Sequence, residues 1–429
     1  MTPLPVDQET LESRLRADPH LVEIAGYLGS VECWVVGGWV RDRALEREPP
    51  DLDLVVRGIE AAERAAGLLG AAWQTTPRLL GRPERAVWRL TGPRCKVEIW
   101  PMVYDDLKAD ATRRDFTCNA LFWRLPAGPL FDPTGGFMDI TDRRIRAISK
   151  ANLAIDPVRL LRGVRLSATL DGFSLEGQTR GWISELAPTL GQAPRERVGA
   201  ELLTLAHAPR AAAGFQAAAT LNLLAPMSPR PSETAEPFTA PLAALACLAG
   251  ETAHPVPASV AYNRPHAVLA WLASGWSSSS PRSLAAFAWP RDVAQTIATA
   301  VSRSGEARAH VHKGPGDRRE FIARCGQAFP TVLALAAANA VAGDGHPQSW
   351  RRWWRQWLQS GRNILESKPL LDAFEVTTVT GIEPGPQLGR ILSDLERATV
   401  RRDVRSPAGA RRWLKTYSAG AASEPSSST

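Results

Sequence analysis

Two aspartates, Asp51 and Asp53, follow a glycine pair, Gly37-Gly38, within CWVVGGWVRDRALEREPPDLDLVV (residues 33–56). On a strand, residues two apart project to the same face, so both carboxylates can address one site. Held that close, they repel and ionise together only with a cation between them, and oxygen donors of this kind suit magnesium. With two metal ions, one activates an attacking hydroxyl and the other neutralises a leaving pyrophosphate, which is the chemistry of nucleotidyl transfer. Gly37 and Gly38 let backbone N–H groups approach a triphosphate, and the helix start that follows adds positive potential. A D-x-D after two glycines also occurs by chance in surface turns, so its meaning depends on the segments around it.

Those segments must first position the pair. Between about residues 20 and 125, short apolar or β-branched runs alternate with helical stretches, and CWVV, LDLVV, AVWRLT, KVEIW and CNALFW are the candidate strands. Leu52, Leu54 and Val55 then face or border the core. From about residue 150, segments such as DPVRLLRGVRLSATL and RERVGAELLTLAHA carry apolar residues at helical spacing. The stretch APMSPRPSETAEPFTAP concentrates Pro, Ser and Thr and reads as a linker, while AGAASEPSSST at the end reads as disordered. In WRRWWRQWL, Trp350, Trp353, Trp354 and Trp357 fit one helical face, and core packing accounts for them better than base stacking.

Composition narrows the class. A length of 429 residues exceeds one compact domain, and a formal net charge of +7 is compatible with a polyanionic partner. Lys and Arg outnumber Asp and Glu between Arg351 and Lys415, which makes that region either a solvated helical surface or an RNA-backbone contact. Five scattered cysteines form no C-x-x-C pair, in keeping with a reduced compartment. The N-terminus has neither an apolar signal core nor the acid-poor character of a transit peptide. No run reaches the length needed to cross a bilayer, so a soluble cytoplasmic chain with no membrane partner is expected.

Five further motifs complete the pattern. Residues 33–56 resemble the G-G-x-V-R-D … D-x-D signature of the class II tRNA nucleotidyltransferase (CCA-adding and CC-adding) and bacterial poly(A) polymerase family. RRDFTCNAL (113–121) resembles that family's R-R-D-F-T-x-N-A-L motif, FDPTGGFMDITDRRIRAI (131–148) its glycine turn, and DPVRLLRGVR (156–165) its D-P-x-R-x-x-R-x-x-R helix. RERVGAELLTL (195–205) is similar to its E-R-x-x-x-E-L helix, and residues 381–414 look like its G-P-x-x-G … A-x-x-W-L tail, which contacts the tRNA body.

The resemblance implies an α+β multi-domain protein: a small mixed-sheet nucleotidyltransferase head at 20–148 and a helical neck with the base-reading helix at 149–224. A linker at 225–240, a helical body at 241–350, a basic RNA-binding tail at 351–418 and a disordered end at 419–429 follow. It implies Mg2+ at Asp51 and Asp53, with Glu98 as a third catalytic carboxylate that tunes the metals or deprotonates the RNA hydroxyl. Nucleotide binding falls to Gly37, Gly38, Arg41 and Arg114, with Asp156 and Arg159 reading the base and Arg162 and Arg165 turned toward phosphates. Asp115 and Asn119 shape the site, and Glu196 and Arg197 brace the base-reading helix.

The implied reaction adds C or A from CTP or ATP to the 3′ end of tRNA without a nucleic-acid template. Only about fourteen residues separate Glu98 from Arg113, shorter than in relatives that build all of CCA, so CC addition is the expected product. An A-adding enzyme and a bacterial poly(A) polymerase are the alternatives within the class, and a non-catalytic RNA-binding protein is the alternative outside it. Position 155, Ile, departs from the acid that the family commonly carries there.

Overall fold

The computed structural model describes residues 7–81, 86–102, 106–228, 238–249, 264–276, 280–310, 312–342, 348–366 and 369–421. The chain forms two compact units, Met1–Met227 and Ser228–Thr429.

The first unit opens with helices α1 (Gln8–Ala17) and α2 (Pro19–Leu28), whose free N–H groups are satisfied by the carboxylates of Asp7 and Asp18. Then come β1 (Cys33–Val36), α3 (Gly38–Ala44), β2 (Asp51–Val56) and α4 (Gly58–Trp73). After these lie β3 (Arg78–Leu80), β4 (Val87–Thr91), β5 (Lys96–Pro101), α5 (Leu107–Thr112), β6 (Phe122–Arg124) and β7 (Leu130–Phe131). The strands make one seven-stranded sheet in the order β3-β4-β5-β2-β1-β6-β7. Only β2 and β5 run parallel; every other pair is antiparallel, so the sheet is mixed.

The alternation in these strands decides which face is covered. Leu52, Leu54, Val97 and Ile99 are buried on the face that α4 packs against. On the other face, Trp34, Val36, Val55 and Phe122 form a small core with Ala111 of α5. Asp51, Lys96, Arg89 and Arg78 on that same face are exposed, so it is covered at the β1–β6 end and open toward β3.

One anticipated strand is a correction. Of CNALFW, only Phe122 and Trp123 belong to β6, and Thr117–Asn119 is a single 3-10 turn. The Thr117 hydroxyl donates to buried Asp139 at 2.6 Å, and the Asn119 amide bonds Asp115, so polar side chains claim this stretch before the strand can begin.

The rest of the unit is helical apart from one small ladder. Helix α6 (Gly136–Thr141) precedes β8 (Arg144–Ile145), and α7 (Lys150–Ile155) and α8 (Val158–Thr169) precede β9 (Ser174–Leu175), which pairs with β8. Helices α9 (Gly177–Leu186), α10 (Arg195–Ala206) and α11 (Ala211–Thr220) end it, with α10 and α11 both packed on α8. A Cβ on Gly163 would lie 2.8 Å from the Phe116 ring, so a glycine lets α8 close onto the segment after Arg114.

The second unit contains α12 (Leu242–Ala249), α13 (Arg264–Ser274), α14 (Pro281–Leu284), α15 (Arg291–His310), α16 (Pro315–Cys325), α17 (Phe329–Ala342), α18 (Gln348–Leu365), α19 (Ala373–Thr380), α20 (Pro386–Arg401) and α21 (Pro407–Ala421). Trp350, Trp353 and Trp354 are buried, and the Trp353 and Trp357 rings pack on Phe329 with centroids 5.8 and 5.2 Å away. The tryptophan face of α18 is therefore core. Leu371, Val376, Ile391, Leu395 and Leu414 gather α19–α21 around a seam of their own.

Contrary to the sequence expectation, Pro315–Ala340 is long and apolar enough by composition to cross a bilayer, but 78% of its apolar window is buried inside the protein. Most of the anticipated linker, residues 229–237, lies outside the described residues, as do 422–429 of the anticipated disordered end, whereas α21 continues to Ala421.

Candidate active site

The D-x-D pair occupies the first half of β2, where register aligns charges across the sheet. Asp53 is the Cα partner of Val36 on β1 and of Glu98 on β5, and Glu98 is the partner of Arg89 on β4. Side chains of register partners share a face, so Asp53, Glu98 and Arg89 stand in one row on the open face. Asp51 is exposed beside Lys96. On the covered side of the row, Arg114 lies over the Phe122 ring at 5.1 Å and is fixed by Asp110 at 2.9 Å. Asp53 thus lies between two guanidinium groups, and both are bound to other carboxylates.

Gly37 explains why the turn after β1 carries glycine. Its φ is +75°, and a Cβ there would be 3.0 Å from Asp53 Oδ2. An L side chain would therefore be strained in its backbone and pressed against the carboxylate. Burial, with added repulsion from Glu98 and Asp51, pushes the Asp53 carboxyl up to about 6, against the opposing influence of Arg114 and a hydrogen bond donated by the Trp100 indole. A carboxylate raised by burial and like charge gains when a cation is bound.

This donor set fits a divalent metal ion that also takes ligands from substrate phosphates and water, because magnesium sites of that kind use only one or two protein carboxylates. Among the described residues, no group of three or more His, Cys, Asp or Glu side chains gathers into a cage. Glu98 is close enough to repel Asp53, yet its Oε1 accepts two bonds from Arg89, at 2.9 and 2.6 Å. The structure places it as the link between Asp53 and Arg89.

The second cluster joins the head to the helices that follow. Asp115 is buried and bonds the Phe116 N–H at 2.7 Å, and Arg162 donates to it at 3.1 Å. Burial opposes ionisation of Asp115, but Arg162 and Arg159 beside it hold its carboxyl below the usual range. Asn119 accepts from Arg41 at 2.6 Å, and Arg41, itself part-buried, is paired with buried Asp42 at 2.9 Å, so Arg41 fixes Asn119. Arg159 donates to the carbonyls of Arg113 and Asn152, at 3.1 and 3.0 Å. Asn152 in turn bonds the carbonyls of Thr112 and Arg114, each at 2.7 Å, which ties α7 and α8 to the stretch of chain carrying Arg114.

Asp156 is held as a two-pronged acceptor by Arg197, at 3.0 and 2.7 Å. Arg197, on α10, thus ties that helix to Asp156, which lies just ahead of α8. Glu196 beside it is exposed. The acid that locks α8 is instead Glu201, buried between Arg162 at 2.9 Å and Arg165 at 2.6 Å. The bonds of Arg162 and Arg165 run to Asp115 and Glu201, not toward open space. Beside Asp156, Ile155 is 70% exposed.

Sequence reasoning therefore missed three residues of this region: Trp100, Asn152 and Glu201. Glu201 was visible as the second acid of E-R-x-x-x-E-L. Trp100 could have been found from its two-residue spacing from Glu98 on one strand, whereas the Asn152 bonds cross about 40 residues and left no local signal.

Comparison with known proteins bears on both clusters. Residues 33–146 match the poly A polymerase head domain, and residues 172–233 match the probable RNA and SrmB-binding site of polymerase A. The chain is 29% identical to a CC-adding tRNA nucleotidyltransferase of Thermus thermophilus, over 91% of this chain and 94% of that protein. It is equally 29% identical to an A-adding tRNA nucleotidyltransferase of Deinococcus radiodurans, over 89% of this chain and 95% of that one. In fold it is similar to a Thermotoga maritima CCA-adding enzyme solved with tRNA, with a TM-score of 0.67 at 20% identity, over 97% of this chain and 99% of the other.

Proposed function

Since the chain belongs to the family of tRNA nucleotidyltransferases and bacterial poly(A) polymerases, we propose that it extends the 3′ end of tRNA, adding two C residues from CTP. The observation that carries the reading is the joining of two clusters within one unit: the Asp51–Asp53 pair on an open sheet face, and the Asp156–Arg159 helix bound to the chain beside Arg114.

In this reading Asp51 and Asp53 hold Mg2+. When bound, the ion would offset charge on the triphosphate and acidify the 3′ hydroxyl; that oxygen bonds the α-phosphorus as its proton passes to solvent and the bond to the leaving pyrophosphate breaks. The protein's own part is orientation. Gly37 leaves room for phosphate beside Asp53, Arg114 supplies a fixed guanidinium facing the same pocket, and Asp115 holds Arg162 and Asn119 so that the floor does not move with each substrate.

Base choice rests on Asp156 and Arg159. A carboxylate and a planar donor fork offer acceptor and donor positions to a Watson–Crick edge, worth about 1–3 kcal/mol of discrimination for a good two-point contact. Arg197 keeps Asp156 from swinging, and the Asn152 carbonyl does the same for Arg159. Glu98, tied to Arg89, acts on the electrostatics of Asp53 and not as the base for the hydroxyl.

The CC product is supported by the short segment between Glu98 and Arg113, much of which is helix α5. A second reading, A addition, is favoured by the Deinococcus relative, which matches this chain as well as the Thermus one does. Labelled CTP and ATP, offered separately and together with Mg2+ to tRNA transcripts ending at the discriminator base, at C and at CC, decide between them. Two C residues and a stop are expected. Addition of A alone to the CC end would assign the second reading, a complete CCA would show that the short segment is sufficient for all three additions, and long homopolymers on RNAs without a tRNA fold would assign a poly(A) polymerase. No incorporation sensitive to Asp53→Asn would leave a non-catalytic RNA binder.

A further inference from the structure

The charged row across the sheet does not stop at Arg89. Arg78 on the edge strand β3 is the register partner of Arg89, so Arg78, Arg89, Glu98 and Asp53 follow one another on a single face. The neighbouring row sets Thr91, Lys96 and Asp51 side by side in the same way. Arg78, Arg89 and Lys96 are all exposed, and they lie where the open face is not covered by α5.

Two features of this arrangement call for an anion. Like charges directly opposite each other on paired strands destabilise the pair, and Arg78 faces Arg89 at the sheet edge. Arg89 is half neutralised by Glu98, which holds its guanidinium along the row. Arg78 has no acidic partner among the described residues. The spacing between neighbouring strands is about 4.8 Å, so the row from Asp53 to Arg78 spans three intervals, roughly 14 Å, the distance covered by about two nucleotides of extended backbone.

We propose that Arg78 and Arg89, with Lys96 beside them, form a phosphate-binding track that leads away from Asp53 along the open face of the sheet. The ligand class is phosphate oxygens of a nucleic-acid strand or of a nucleoside triphosphate, and the placement favours the phosphodiesters of the RNA 3′ end. The inference rests on the proposed transferase reading for its substrate, but its test reads binding and does not require turnover.

Arg78 is the residue to change, because it is exposed on an edge strand and Arg89 is entangled with Glu98. The full chain carrying Arg78→Gln or Arg78→Glu is compared with wild type and with Arg64→Gln, an exposed arginine on α4 behind the opposite face of the sheet. Affinity for a tRNA transcript lacking its 3′ CCA is measured by anisotropy over a series of KCl concentrations, and KM for CTP is measured in parallel. Circular dichroism melts confirm that each variant folds.

The expected result is a salt slope smaller by about 0.7–0.9 for Arg78→Gln, the value of one lost phosphate contact, with affinity several-fold weaker, weaker still for Arg78→Glu, and KM for CTP unchanged. A raised KM with an unchanged slope would assign the track to the triphosphate. An unchanged slope and KM in both Arg78 variants would overturn the proposal, as would an equal loss in Arg64→Gln, which would reduce the effect to net charge. A wild-type protein that binds tRNA with this slope but incorporates nothing would sink the transferase reading and leave the track standing.

Discussion

At the scale of single residues, the site depends on how closely Gly37 approaches Asp53. Gly37→Ala places a methyl group 3.0 Å from Oδ2 and forces an alanine into positive φ, which costs about 1–2 kcal/mol. A thermal melt should show that modest loss, whereas incorporation should fall far more, at least tenfold, because the methyl displaces the carboxylate proposed to bind metal. An equal, small loss in both would mean that the turn is only structural. Asp53→Asn keeps the shape and removes the charge; incorporation should drop by at least a thousandfold with the melting temperature held or raised, since a buried carboxylate crowded by Glu98 and Asp51 has been relieved. These roles were partly legible in the sequence, because the glycine pair and the D-x-D stand in order with further motifs that resemble one family. Trp100 stands two residues from Glu98 on one strand and so shares its face, but a tryptophan there reads as core until its neighbour across the ladder is known.

At the scale of elements, one carboxylate locks α8 to α10. Removing Glu201 leaves Arg162 and Arg165 facing each other without their shared acid. The cost of Glu201→Ala should approach, without reaching, the roughly 3–5 kcal/mol of a fully buried pair, because the Arg162 side chain keeps 33% of its surface in water. Urea melts measure it, and Glu201→Gln should recover part of the loss because it keeps a hydrogen-bond acceptor for one arginine. If α8 positions Asp156 and Arg159 as proposed, Glu201→Ala should also relax the preference between CTP and ATP; unchanged selectivity would confine Glu201 to stability. The strands at Cys33–Val36, Asp51–Val56, Val87–Thr91 and Lys96–Pro101 could be read from β-branched and alternating residues. Short strands such as β3 and β7 could not, since two or three residues carry too little pattern. CNALFW misled because its apolar letters suggested a strand while Thr117 and Asn119 were bonding Asp139 and Asp115.

At the scale of the molecule, the proposed site lies in the first unit, and the second unit is held by aromatic packing. Trp353 is fully buried against Phe321 and Phe329, so Trp353→Ala should cost roughly 3–5 kcal/mol in the transition that reports the second unit, seen by tryptophan fluorescence. The same loss in the first unit's transition would show that the two unfold together. That tryptophan face followed from helical spacing alone. The parallel pairing of β2 with β5 has a consequence in time. Asp53 and Glu98 become neighbours only when the chain closes a loop that contains α4, β3 and β4 in sequence, which is a non-local closure and therefore slow. A chain still emerging from the ribosome would carry both aspartates without the neighbour that Asp53 gains from β5, so the proposed metal site should form only once β2 and β5 have paired.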